Sequence, residues 1–293
     1  MERFFSTLLG RLGYVGTLID LARPWNGIMV GLLPILSLLM GGGSFSLQAL
    51  LLFLAFFFGW ASGATLNDIF DRDVDKINMP FRPILKRKLK ISNVYRYTII
   101  LHLLAVFFAI YLDIKILLFV ILFFIFSSFY NSPPLHLNRK GILGHIDLVF
   151  TVVAIPTYAG FVFALQKFTL PFDYWLFIFG LTLFFLFIFM LKDFKDLVGD
   201  RKKGKITPVV QLGPKKIRTI IMVGSILSLI LLMFLYYKII DFQFWHLVPW
   251  LFSFIALPLA ESIVIKKPES GWGWSRVVVL ILILSLILIN LLS

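Results

Sequence analysis

The feature that most constrains this chain is a series of nine apolar segments. Each meets or approaches the roughly 20 residues that a helix needs to cross the hydrocarbon of a bilayer. Hydrophobic residues make up 60% of the 293 residues, and the segments are too unbroken for the core helices of a soluble protein. The sequence therefore predicts an all-α, polytopic membrane protein. The segments lie at about residues 24–42, 46–69, 92–112, 114–131, 144–166, 171–192, 215–237, 242–262 and 275–292.

The basic residues are distributed unevenly between the two sides of this topology. The formal net charge is +13, and 25 of the 28 Lys and Arg residues fall in the N-terminal segment or the even-numbered connections. Only Lys115, Lys167 and Lys238 fall on the opposite side. This asymmetry follows the positive-inside rule, which places the N-terminus in the cytoplasm and the C-terminus outside. Because membrane orientation accounts for the basic charge, we expect no nucleic-acid partner.

Two acidic motifs of identical spacing follow the second and sixth apolar segments. The first reads N-D-I-F-D-R-D-V-D from Asn67 to Asp75, and the second reads D-F-K-D-L-V-G-D from Asp193 to Asp200. In each motif the second aspartate comes three positions after the first, and the third comes four positions after the second. A continuous helix would therefore carry all three on one face. The motifs are 125 residues and four segments apart. This offset indicates an internal four-helix repeat with a ninth helix added.

Three carboxylates on one helical face repel one another, so a cation has to compensate them. Pairing with neighbouring Lys and Arg side chains is the structural alternative. The repetition of the motif favours a metal site instead, and oxygen ligands in a chain without cysteine favour Mg²⁺, Mn²⁺ or Ca²⁺. Mg²⁺ commonly binds a few carboxylates together with phosphate oxygens, so acidic clusters beside basic residues predict a diphosphate site. Asn67 and Lys192 each lie directly before a trio of aspartates, and Arg72 flanks the first trio.

These motifs carry a resemblance to a known family. The stretch from Asn67 is similar to the N-D-x-x-D-x-x-x-D signature of the UbiA superfamily of intramembrane prenyltransferases, and the stretch from Asp193 is similar to its second aspartate motif. Further matches are N-x-P-x-R-P around Arg82 and Y-N-S-P-P-L-H-L-N-R-K-G from Tyr130. The resemblance implies nine transmembrane helices around a central cavity. In that cavity the two motifs would face each other and hold Mg²⁺ against the diphosphate of a prenyl donor.

The resemblance also implies roles for individual residues. The implied metal-binding residues are Asp68, Asp71, Asp75, Asp193, Asp196 and Asp200. The implied catalytic residues are Asp68, Asp71, Asp75, Asp196 and Asp200. Substrate contacts are expected from Arg23, Asn26, Asn67, Arg72, Arg82, Tyr130, Arg139, Lys140 and Lys192. Asn138 occupies a position that is usually lysine in the basic loop of the family, so Lys140 is the expected substitute.

The start of the first apolar segment, L-A-R-P-W-N, resembles the branch of the family that makes archaeal-type ether lipids. The donor would then be geranylgeranyl diphosphate, and the acceptor would be the free hydroxyl of geranylgeranylglyceryl phosphate. The alternatives are prenylation of an aromatic acceptor in quinone-type biosynthesis and, in a different class, a cation transporter.

The expected organisation has two parts. An N-terminal interfacial segment, residues 1–22, precedes one nine-helix transmembrane prenyltransferase domain, residues 23–293. The domain would lie among the lipids of the cell membrane, and its active site would face the cytoplasm, since the acidic motifs lie beside the basic connections.

Overall fold

The computed structural model describes residues 12–87 and 89–292, and within these ranges the chain is almost entirely helical. The α-helices are, in chain order, α1 (Gly13–Ala22), α2 (Pro24–Met40), α3 (Leu47–Phe70), α4 (Arg72–Asn78), α5 (Pro83–Lys86), α6 (Ile91–Leu112), α7 (Ile114–Asn131), α8 (Ile142–Val149), α9 (Ile155–Leu165), α10 (Phe172–Met190), α11 (Asp193–Lys202), α12 (Pro208–Leu212), α13 (Pro214–Tyr236), α14 (Leu247–Lys266) and α15 (Pro268–Leu292). A π-helical turn, Phe150–Ala154, joins α8 to α9. The predicted all-α class is confirmed.

Eight helical stretches in the described part of the chain are long and apolar enough to cross a membrane. A ninth span is counted if α1 and α2, which meet at an angle of 49°, are taken together. Arg23 lies between them with a φ of 48°, and Pro24 is the first residue of α2. Proline has no N–H to continue the preceding helix but fits the first turn of a new one. The predicted first span, 24–42, is therefore the second half of a bent pair.

The predicted interfacial segment is described only in part, because residues 1–11 lie outside the described residues. The remainder forms α1, in which Tyr14 and Val15 are exposed while Thr17 and Leu21 are buried. The helix packs against α3 and α5. Its exposed face is therefore apolar, and its position at a membrane surface stays a prediction.

The apolar helices approach one another closely where α2 packs against α9. A Cβ added to Gly160 of α9 would lie 2.2 Å from the backbone carbonyl oxygen of Pro34. Helix backbones come this close only where a small residue leaves room. Gly59 of α3 differs, because the nearest atom to an added Cβ is a Phe123 ring carbon at 3.5 Å, an ordinary contact.

We expect Gly160→Ala to destabilise the fold by about 1–3 kcal/mol, the usual range for overpacking, because the atom that blocks the new methyl group belongs to a backbone. Gly59→Ala is the matched control, and its stability should be unchanged or slightly raised because alanine favours helix. Thermal unfolding of both variants in detergent provides the measurement. Equal melting temperatures for Gly160→Ala and the wild type would contradict the close contact.

Both aspartate motifs lie where a long apolar helix gives way to a short polar one. In the first motif α3 ends at Phe70, Asp71 lies at the junction, and α4 follows. In the second motif α10 ends at Met190 and α11 begins at Asp193. The spacing of the first trio of aspartates predicts one continuous helix. This prediction is wrong, because the helix is interrupted at Asp71. The short helices α4 and α11 pack against each other. An internal repeat remains a prediction.

Candidate active site

A cavity lies beside the packed helices α4 and α11 and extends between the apolar helices. Eleven of the predicted site residues line it: Arg23, Asn26, Asn67, Asp68, Asp71, Asp75, Arg82, Tyr130, Lys192, Asp196 and Asp200. The other predicted site residues, which do not line it, are Arg72, Arg139, Lys140 and Asp193. Away from the motifs the walls are largely apolar and include Met29, Val30, Phe123, Val152, Phe189 and Leu280. The cavity thus has one charged end and one apolar end.

Asp68, near the end of α3, is held by two cations. Its side chain is almost fully buried, and its Oδ1 accepts hydrogen bonds from the guanidinium groups of Arg23 and Arg82. Arg82 also lies 2.7 Å from Oδ2 of Asp75. One arginine therefore bridges two aspartates of the first motif.

Asp71, at the junction between α3 and α4, receives both neutral and charged donors. Nδ2 of Asn67 lies 3.0 Å from its Oδ2, and Nδ2 of Asn138 lies 3.3 Å and 3.2 Å from its two oxygens. Nζ of Lys205 donates to Oδ2 at 2.6 Å, whereas Arg139 is 3.9 Å from Oδ1. Asn138 therefore contacts the first motif, and Lys205 provides the short cationic contact.

The pKa values of Asp71 and Asp75 are shifted in opposite directions. Burial raises the pKa of Asp71, but the charge of Lys205 and its hydrogen bond outweigh burial and hold that pKa below its usual value. Burial raises the pKa of Asp75 to about 7; Arg82 opposes the rise, and the charges of Asp68 and Asp71 add to it. A divalent cation beside Asp75 would favour its ionised form.

The second motif has buried carboxylate oxygens that lack donors. Nζ of Lys192 donates to Oδ1 of Asp193 at 2.8 Å; burial lowers the pKa of Lys192, but the charge of Asp193 outweighs it and the net shift is upward. Oδ2 of Asp193 and Oδ1 of Asp196 are buried and accept no hydrogen bond from the described residues. Burial raises the pKa of Asp200 to about 7. The second motif therefore has unused oxygen ligands.

Asn78, the last residue of α4, connects the two motifs. Its Nδ2 donates to Oδ1 of Asp200 at 3.1 Å, and its Oδ1 accepts from the backbone N–H of Gly199 at 2.7 Å. A Cβ on Gly199 would lie only 2.3 Å from Oδ1 of Asn78, so glycine permits this approach. The amide of Asn78 thus joins the end of α4 directly to α11, the helix that carries the second motif.

The sequence that forms this arrangement matches a known protein family over most of its length. The UbiA prenyltransferase family matches residues 28–290, which is most of the chain. The chain belongs to the UbiA prenyltransferase family. It is therefore an integral membrane prenyltransferase, and both the resemblance and the predicted enzyme class are confirmed in preference to a cation transporter.

Two relatives named digeranylgeranylglyceryl phosphate synthase each match about three quarters of the chain. It is 29% identical over 222 residues to the digeranylgeranylglyceryl phosphate synthase of Methanosphaera stadtmanae, a match that covers 75% of this chain and 77% of that protein. It is 28% identical over 221 residues to the synthase of the same name from Pyrococcus horikoshii, which covers 72% of this chain and 74% of that protein.

Solved UbiA structures share the fold. A structure of a digeranylgeranylglyceryl phosphate synthase is similar with a TM-score of 0.63 at 25% identity, covering 95% of this chain and 99% of that one. A UbiA homologue from Aeropyrum pernix K1 gives a TM-score of 0.73 at 17% identity, covering 89% and 97%. A homologue from Archaeoglobus fulgidus bound to GPP and Mg²⁺ gives 0.68 at 20% identity, covering 94% and 100%. The last two show the fold alone.

The donor atoms of this UbiA member are suited to Mg²⁺. Among the described residues no three acidic or histidine side chains converge on one point, because basic side chains lie between the aspartates of the first motif. Mg²⁺ bound to a diphosphate needs only a few carboxylates, since waters and phosphate oxygens complete its octahedron. Asp196 lines the cavity, and its Oδ1, which is buried and accepts no hydrogen bond from the described residues, is a ligand of the required hard type. The site therefore fits Mg²⁺ that arrives with a diphosphate.

Sequence reasoning missed three basic residues that line the cavity, Lys195, Lys205 and Arg276. Lys205 belongs to a basic run that membrane orientation already explained. Gly204, at a φ of 66°, turns the chain so that the N–H of Lys205 bonds the carbonyl of Asp200 at 2.9 Å. Gly204, four residues after the end of the second motif at Asp200, was the available signal. For Arg276 the signal was a charge at the edge of the last apolar segment.

Proposed function

We propose that this protein catalyses Mg²⁺-dependent transfer of a geranylgeranyl group from geranylgeranyl diphosphate to the free hydroxyl of geranylgeranylglyceryl phosphate, forming an ether lipid. The observation that carries the proposal is a single cavity with both aspartate motifs and five basic residues at one end and apolar walls at the other. The basic residues are Arg23, Arg82, Lys192, Lys195 and Lys205. Relatives named for this synthase activity support the choice of acceptor.

The charged end would bind the diphosphate of the donor. Metal ligands would come from Asp68, Asp71, Asp75, Asp193, Asp196 and Asp200. Bound Mg²⁺ would neutralise the diphosphate and stabilise the charge that develops on it as the carbon–oxygen bond breaks. Arg82 and Lys205, which now pair with carboxylates of the first motif, would exchange those contacts for phosphate oxygens. The basic side chains therefore keep the aspartates compensated before the substrate arrives.

The apolar end would hold the prenyl chain and keep water away from the reacting carbon. The bond between C1 of the donor and the diphosphate oxygen breaks, and its electron pair leaves with pyrophosphate. The glycerol hydroxyl oxygen then forms the new ether bond to C1, and its proton is lost to the released pyrophosphate or to solvent. Phe123 and Phe189 line this part of the cavity and present aromatic surface to the chain.

The proposed location is the cell membrane, with the charged end of the cavity at the cytoplasmic face. The excess of Lys and Arg in the connections that carry the motifs supports this orientation. The N-terminus would then be inside and the C-terminus outside.

A competition assay tests the acceptor. Purified protein in detergent receives labelled geranylgeranyl diphosphate and Mg²⁺ together with equal concentrations of geranylgeranylglyceryl phosphate and hydroxybenzoate. We expect the label to enter the ether product almost exclusively. Incorporation mainly into a prenylated aromatic would retain the family activity and overturn the proposed acceptor.

A further inference from the structure

Arg276 introduces a charge into the same cavity from a helix that carries neither aspartate motif. It lies on α15, within the stretch Gly271–Leu292 that is apolar enough to cross a membrane, and it lines the cavity. An arginine in such a segment is costly unless it faces protein or water, and it marks a functional position by default. Nothing in the binding of a diphosphate by the two motifs requires this residue.

Asn26 and Trp272 both contact the guanidinium group of Arg276. Its Nη1 donates to Oδ1 of Asn26 at 2.9 Å, and its Cζ lies 5.3 Å from the ring centroid of Trp272. Trp272 is buried and also lines the cavity. A planar cation stacked on an indole and fixed by an amide is oriented before any ligand binds.

The position of Asn26 relates Arg276 to the motifs. Asn26 follows Arg23 by three residues, and Arg23 pairs with Asp68. Three residues of helix advance the chain by roughly 5 Å. Arg276 therefore lies beside the charged end of the cavity without belonging to the first motif.

We propose that Arg276, oriented by Asn26 and Trp272, binds the phosphate of the acceptor lipid; this subsite rests on the proposed function. The acceptor is a phosphate monoester, which carries about −1.5 to −2 charges at neutral pH, and a guanidinium fork matches phosphate oxygens in a bidentate manner. Its free hydroxyl lies only a few bonds from the phosphorus. Binding the phosphate at Arg276 therefore directs the hydroxyl towards the motifs, where the donor diphosphate binds.

The same helix offers a surface for the hydrocarbon of the acceptor. Val277 and Leu280 line the cavity on the C-terminal side of Arg276. An acceptor whose phosphate contacts the guanidinium can thus lay its prenyl chain along α15. The donor diphosphate and the acceptor phosphate then contact different helices. The binding of each substrate therefore depends on different residues.

Steady-state kinetics of Arg276→Gln test the subsite, with Arg218→Gln, an exposed arginine at the start of α13, as the matched control. For Arg276→Gln we expect the KM for geranylgeranylglyceryl phosphate to rise at least about tenfold, as for loss of a charge-assisted bidentate contact. The KM for geranylgeranyl diphosphate should change less than about twofold, because the proposed contact of Arg276 is with the acceptor and not with the donor. Arg276→Lys should restore part of the loss, because it keeps the charge without the fork.

A dephosphorylated acceptor separates this role from a structural one. With geranylgeranylglycerol in place of its phosphate, the wild type and Arg276→Gln should have the same acceptor KM. An unchanged KM for the phosphorylated acceptor, or an equal loss with both acceptors, would overturn the subsite and leave the proposed function standing. Failure of the wild type to transfer to geranylgeranylglyceryl phosphate would overturn both. If Arg276→Gln does not fold, Arg276→Lys decides, because an acceptor KM identical to that of the wild type would also overturn the bidentate contact.

Discussion

Asp68→Asn is expected to lower kcat by about 10³-fold or more, a loss of several kcal/mol of transition-state stabilisation. Asp68 lines the cavity, is almost fully buried, and accepts from both Arg23 and Arg82. Asparagine keeps the shape of the side chain but removes the charge that would bind Mg²⁺ and hold the two arginines. Single-turnover prenyl transfer at saturating Mg²⁺ measures the effect on the chemical step.

Asp73→Asn is the matched control, because Asp73 belongs to the same stretch of chain but lies outside the cavity. Its side chain is 72% exposed and pairs with Lys76 at 2.7 Å. Exposed pairs of this kind contribute little, so kcat should stay within about twofold of the wild type. Similar losses in the two variants would show that general destabilisation, rather than the position of Asp68 in the site, lowers the activity. Melting temperatures of both variants complete the comparison.

Lys205→Met is expected to lower kcat by about 10²-fold, the size of effect seen when one donor to a developing oxyanion is removed. Nζ of Lys205 is 2.6 Å from Oδ2 of Asp71, and its side chain is 13% exposed. Methionine keeps the length of the side chain and removes the charge that would pass from Asp71 to the diphosphate. Burial lowers the pKa of Lys205, but the charge of Asp71 outweighs it and keeps the pKa above its usual value. The contact with Asp71 therefore favours the charged form of the lysine.

Lys140→Met is the control for Lys205→Met. Lys140 is bridged through its backbone to Ile206, the residue after Lys205, but its side chain is exposed and does not line the cavity. The two lysines thus share a local backbone environment and differ in where their side chains point. A large loss in Lys140→Met together with normal activity in Lys205→Met would restore the expectation drawn from the sequence, in which Lys140 substitutes for the missing lysine at Asn138.

The sequence predicted the elements that depend on local patterns. Apolar segments of membrane-spanning length became helices at the expected places, because burial in lipid requires every backbone group to bond within its own helix. Motif spacing identified the six aspartates, and five of them line one cavity. The exception, Asp193, has its carboxylate against Lys192 at the start of α11 rather than in the cavity wall.

Features that depend on distant contacts could not be predicted in this way. The bond from Lys205 to Asp71 joins residues 134 positions apart, and the bond from Arg276 to Asn26 joins residues 250 apart. No local period encodes such pairs. The break at Asp71 was missed for a related reason. The spacing of the aspartates is compatible with a continuous helix, and the interruption between α3 and α4 accompanies the packing of α4 against α11, which only the folded chain reveals.

The most direct test of the proposed reaction is its stoichiometry. Purified protein receives labelled geranylgeranyl diphosphate and geranylgeranylglyceryl phosphate, with either Mg²⁺ or EDTA, and both the ether product and the released pyrophosphate are counted. We predict equal amounts of the two products with Mg²⁺, neither with EDTA, and recovery when excess Mg²⁺ is restored. Pyrophosphate release without ether product, or transfer undiminished in EDTA, would contradict a Mg²⁺-dependent prenyl transfer at the paired aspartate motifs.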